Sequence, residues 1–218
     1  MKFFWTLFVL SAMTYAPAVG HPSPDATLVD STQIYYATQN VSALQRMLAQ
    51  TTDRALALLC RYRLYPLTQD PAYLQDLPTT LEASTARELA LLSGLWGYRV
   101  KDSSVLKVPV YGKRATRLLE QAKALDPAEP FVLLIEGQSL LYRPKIFGGN
   151  KHKALAAFNK LSETLPSESG TGISKMEADL WLWYTLTKLN DDEADAFRSK
   201  LLARNPPPLY KTFLLDPP

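Results

Sequence analysis

Two stretches of this chain gather the side chains and backbone best suited to hold negative charge. The first ends in Lys113-Arg114; the second contains Arg143, Lys145, Phe147, Gly148, Gly149, Lys151, His152 and Lys153. Lysine and arginine supply positive charge, and a glycine pair lets successive backbone N–H groups form a concave nest for an anion. A shift of 39 residues superposes Lys113 on His152 and Arg114 on Lys153, and the pattern around each pair predicts a helix start. Cations at a helix N-terminus face the positive end of the dipole and cost roughly 0.3–1 kcal/mol each when exposed. A bound carboxylate or phosphate would reverse that sign. The alternative is a pair of solvated, lysine-rich turns, with Gly148-Gly149 needed for a left-handed turn and Asn150 capping the next helix.

Other chemistry finds little footing. Two histidines, His21 and His152, and the single cysteine Cys60 are too dispersed in sequence to suggest a metal site. Gly112-Lys113-Arg114 matches a phosphate-binding loop only at its end: Lys107 stands where glycine belongs, and Arg114 where Ser or Thr should hold magnesium. No G-x-S-x-G and no distinctive carboxylate pair is present, so no catalytic residue and no cofactor are assigned. Trp181, Trp183 and Tyr184 could stack a ligand, but their spacing reads better as core packing.

The elements that must position the charged turns read as helices from Thr38 onward. Ala43, Leu44, Met47 and Leu48 share one apolar face, and Ala55, Leu56, Leu58, Leu59, Tyr62 and Tyr65 share the next. Cys60 falls in that second run and reads as a small buried hydrophobe. Asp70-Pro71 marks a helix start, as do Thr79-x-x-Glu82 and Ser174-x-x-Glu177 with capping-box spacing. The Thr79 box predicts a long helix to about Tyr98, and Asn190 followed by three acids opens the last one. Val105–Tyr111 is the longest alternating stretch, and Pro109 argues against a central strand there.

Ala115, Leu119, Ala122 and Pro127 recur as Ala154, Phe158, Leu161 and Pro166 after 39 residues. A further 40 gives Ala194, Arg198, Leu201 and Pro206. With Leu133-x2-Glu136-Gly137-x2-Leu140 ahead of Ala154, this pattern resembles the tetratricopeptide repeat family, in its exported bacterial type. The likeness is good over residues 90–206 and thin over 38–80. It implies an all-α fold of antiparallel helical hairpins stacked as a short tetratricopeptide-like solenoid, with small residues where paired helices approach most closely. In the family, the glycine and the second-helix alanine lie about twelve apart. Here Gly137 to Ala154 is 17 and Gly94 to Ala115 is 21, so two neighbouring turns should carry insertions. Both insertions hold the cations described above.

Composition is that of an ordinary soluble globular chain, with 47% hydrophobic and 21% charged residues in 218 and a net charge of +3. So mild a balance argues for neither nucleic acid nor a membrane surface as a partner. Residues 1–20 read as a signal peptide: Lys2, the apolar run Phe3–Met13, then small residues at Ala16-Pro17-Ala18 and Ala18-Val19-Gly20. The run falls short of the roughly 20 residues of a membrane span, so stable membrane insertion is not expected. Retention as an anchor is the other reading. Residues 21–37 then form a leader, 38–208 the repeat domain and 209–218 a capping tail, which could instead be a partner-binding segment. The implied protein is exported, periplasmic or secreted, and acts as a scaffold or adaptor for another protein, recognising acidic groups at the inserted turns. The alternative is a small-molecule-binding accessory subunit of a solute uptake system.

Overall fold

The computed structural model describes residues 25–165 and 170–218, so the signal segment, His21 and Pro166 lie outside the described residues. Those described form an all-α protein with no strand. Its helices are α1 (Ala26–Ala37), α2 (Val41–Gln50), α3 (Arg54–Thr68), α4 (Ala86–Lys101) and α5 (Val108–Leu125). They continue as α6 (Pro130–Tyr142), α7 (Lys151–Thr164), α8 (Lys175–Leu189), α9 (Ala194–Ala203) and α10 (Pro208–Leu215), with 3-10 turns at Pro71–Leu74 and Lys145–Phe147.

Most starts are set by a side chain that accepts a backbone N–H the helix itself leaves free. Asp25, Asn40, Asp53, Asp70, Asn150 and Ser174 all do this. Helix α4 corrects the expected start. Its capping box is Thr85 with Glu88, six residues later than Thr79 with Glu82. The earlier box loses because Ala83 takes a left-handed conformation and Arg54 of α3 binds the carbonyls of Glu82 and Ala83. Asn190 is likewise a left-handed C-cap of α8 rather than the start of α9.

Residues 26–37, expected as leader, form helix α1. Its buried side is small and polar, with Val29, Thr32 and Ala37, so no apolar stripe announces it. Thr32 is silenced by donating to the Val29 carbonyl at 2.6 Å.

Helices α4 and α5, α6 and α7, and α8 and α9 pack as consecutive pairs, while α4 also lies against α3 and α6. In the α6–α7 pair the glycine expectation is met: a Cβ on Gly137 would sit 2.5 Å from the Phe158 ring, and Ala154 is fully buried. In the α4–α5 pair the register differs by one residue. Ser93, not Gly94, faces α5 and donates to the Ala115 carbonyl at 2.8 Å. Gly94 faces Tyr62 of α3 and Ile135 of α6 instead.

The first and last helices of the described residues meet. Helix α10 packs on α1, α8 and α9, with Tyr210 and Leu214 buried. Asp30 of α1 accepts the amides of Gly170 and Gly172, and a Cβ on Gly172 would press on Val29. Arg198, which stands where the repeat pattern wants an aromatic, binds the carbonyls of Leu214 and Leu215 and so ties α9 to α10.

Candidate functional site

Helices α5 and α7 are separated, and the gap between them is an open groove of about 510 Å³ floored by α6. Leu119, Leu133, Leu140 and Ala157 form its apolar lining. Glu120, Lys123, Glu136, Arg143, Lys153 and Lys160 form the charged part of it. The charge is uneven. Lys123 bridges to Glu136 at 2.6 Å and to Glu120 at 3.6 Å, a pairing that raises its pKa. Arg143, Lys153 and Lys160 have no carboxylate partner among the described residues. The groove is thus apolar at its base, neutralised at one end and cationic elsewhere.

Arg143 is held for this role: its Nη2 donates to Ser139 Oγ at 2.6 Å and Thr116 Oγ1 at 3.1 Å, linking the end of α6 to α5. Of the residues picked from sequence, only Arg143 and Lys153 line the groove. Lys113 and Arg114 are not at a helix start, because α5 begins at Val108 and places them in its second turn. Much of the first insertion lengthens helices rather than forming a loop. Arg114 instead lies over Trp96, 4.8 Å from the ring centroid, and Lys113 stays exposed.

Lys151, His152 and Lys153 do open α7, as expected. The Gly148-Gly149 nest, however, is not open to an anion. The amides of Phe147, Gly148, Gly149 and Asn150 donate to the carbonyls of Pro144, Lys145, Pro144 and Leu140. Asn150 Oδ1 takes the Lys153 amide at 3.0 Å. The glycines serve the turn itself: Gly148 has φ +90, and a Cβ on Gly149 would lie 1.7 Å from the Arg143 carbonyl oxygen. Lys151 Nζ donates to the Lys188 carbonyl at 2.6 Å, and Lys145, Phe147 and His152 remain exposed.

A second polar feature went unread in the sequence. Arg63 of α3 is 1% exposed and pairs in two-pronged fashion with Glu177 of α8, its Nη2 also donating to the Gly172 carbonyl at 2.9 Å. Tyr36 lies over the guanidinium at 4.4 Å, and Tyr62 and Phe131 flank it. Burial alone would depress this guanidinium, but the Glu177 charge and hydrogen bonds raise it above its ordinary value. Its one hint in the sequence was that Arg63, like Arg61, stands inside the apolar run from Leu56 to Leu64.

Trp183 and Tyr184 are buried, and Trp181 stacks on Phe158 with centroids 5.8 Å apart, so this trio belongs to the core. Cys60 is fully buried as well, and burial pushes its thiol up to about 12. Among the described residues no His, Cys, Asp and Glu cluster could hold a metal ion, and no helix is long and apolar enough to cross a membrane. No family model matches this chain, and no curated protein or solved structure matches it either.

Proposed function

We propose that this chain is an exported helical-repeat protein, a short stack of tetratricopeptide-like hairpins that binds an acidic, partly apolar segment of another protein. The observation carrying this reading is the groove between α5 and α7, with its leucine and alanine lining and its unpaired Arg143, Lys153 and Lys160. Apolar lining supplies affinity through burial, while cations select acidic partners and exclude basic ones. A solute-binding role would want an enclosed apolar cavity between the N-terminal helices and the rest. That region is instead occupied by the Arg63–Glu177 pair under Tyr36, which favours the protein-binding reading.

The test is crosslinking in the producing cell followed by recovery of the processed protein, beside two groove variants. Lys153→Glu with Lys160→Glu inverts the charge, and Ala157→Trp fills the space. Both should lose the same crosslinked partner while keeping native helicity. A partner retained by both variants would remove the groove from the function.

A further inference from the structure

The two inserted turns expose apolar side chains that neither the groove nor the core uses. Among the described residues, the four most exposed large hydrophobics are Leu106 at 89%, Val105 at 85%, Ile146 at 84% and Phe147 at 65%. Each turn therefore carries an adjacent apolar pair, and each pair has a lysine directly beside it, Lys107 in the first and Lys145 in the second.

These tips lie at one edge of the molecule. Helices α4 and α6 run side by side in the same sense, joined near their starts by Arg87 and Glu129 at 2.7 Å. Midway along them, a Cβ on Gly94 would sit 3.2 Å from Ile135 Cδ1. Their C-terminal ends, from which the two turns spring, therefore share that edge. The Arg143 bond to Thr116 fastens the second turn to the first pair. The two turns themselves are cationic, while the neighbouring α8–α9 turn, reached by the Lys151 bond to the Lys188 carbonyl, carries the exposed acids Asp191, Asp192 and Glu193. Lys101, Lys107, Lys113 and Lys145 are exposed and have no ion-pair partner among the described residues. Asp102 is the sole acid in residues 101–113, and it accepts the Tyr65 hydroxyl; residues 142–153 contain none.

We infer that this edge docks on an anionic lipid surface. Apolar tips exposed at an edge suit a soft interface they can enter, whereas a rigid protein partner would need matching pockets for each. Lysines beside them keep their ammonium groups at headgroup level while their stems lie along the acyl boundary. The second turn is stiffened for the purpose by its own amide–carbonyl bonds and by Gly149 against the Arg143 carbonyl. The groove remains free for a protein partner, so this inference stands apart from that reading.

Cys60 is buried, so one added thiol can be labelled in the folded full chain. Leu106→Cys and Ile146→Cys would carry a nitrobenzoxadiazole dye, with Lys200→Cys on α9 as the control. Mixed phosphatidylglycerol–phosphatidylcholine vesicles should brighten and blue-shift the dye at 106 and 146 but not at 200. Phosphatidylcholine alone should do little. Changing Lys101, Lys107, Lys113 and Lys145 to Ser should weaken vesicle binding roughly tenfold or more. Unchanged dye at 106 and 146 would overturn the inference. So would an equal response at all three positions, or a response to polyglutamate in place of vesicles.

Discussion

Arg63 carries a full charge into the interior, where Glu177, the Gly172 carbonyl and three aromatic faces meet it. Removing one partner strands the other without water. Glu177→Gln should cost about 3–5 kcal/mol in urea unfolding, and Arg63→Met with Glu177→Leu should recover most of that loss. A small effect from Glu177→Gln would mean that solvent reaches the pair. The surrounding tyrosines make a second, pH-dependent statement. Burial raises the phenols of Tyr36, Tyr98 and Tyr210 well above their usual value, and pushes Tyr62 up to about 12. A phenol raised by folding adds stability that is complete below its unfolded value of 10.0 and is lost as pH climbs through the folded one. Stability should therefore fall from about pH 10 upward. The absorbance of ionising tyrosine at about 295 nm should rise together with loss of helical circular dichroism. Ionisation of all eleven tyrosines near pH 10 with helicity intact would contradict the buried placement of these four.

At the level of helices, close approach is set by single small residues. Gly137→Ala would force the Phe158 ring aside and should cost about 1–3 kcal/mol, read as a lowered midpoint in thermal unfolding. Thr85→Ala removes a helix cap and should cost about 1 kcal/mol, whereas Thr79→Ala should change almost nothing. That contrast also measures what the sequence could reveal. Thr79-x-x-Glu82 and Thr85-x-x-Glu88 have identical spacing, and what separates them is the left-handed Ala83 and the distant Arg54, which binds the Glu82 and Ala83 carbonyls and pairs with Glu88. The small residue facing α5 was misplaced by one position for a similar reason, since Ser93 and Gly94 differ in which neighbour they face. Helix α1 escaped notice because its buried side includes Thr32 and Ala37 rather than a leucine stripe. The cationic start of α7 and the left-handed glycine were legible because capping and special backbone angles are local properties, whereas Lys113 and Arg114 were misplaced because α5 begins earlier, at Val108. The groove was not: it exists only because α5 and α7 stand apart over α6.

At the scale of the whole fold, α1 and α10 are joined through Tyr210, whose hydroxyl meets Gln33 and Glu177 at 3.3 Å each. Deleting residues 208–218 uncovers the seats of Tyr210 and Leu214 and should cost about 3–6 kcal/mol, seen as a lowered melting temperature with partial release of α1. An unchanged melt would make α10 an accessory rather than a clasp. The same closure orders events during synthesis. As the polypeptide leaves the ribosome from its amino end, Gln33 appears long before Tyr210 exists, and Asp30 long before Gly170 and Gly172. Helix α1 must wait for α10, so this contact can lock only once residues 208–215 have been made and released.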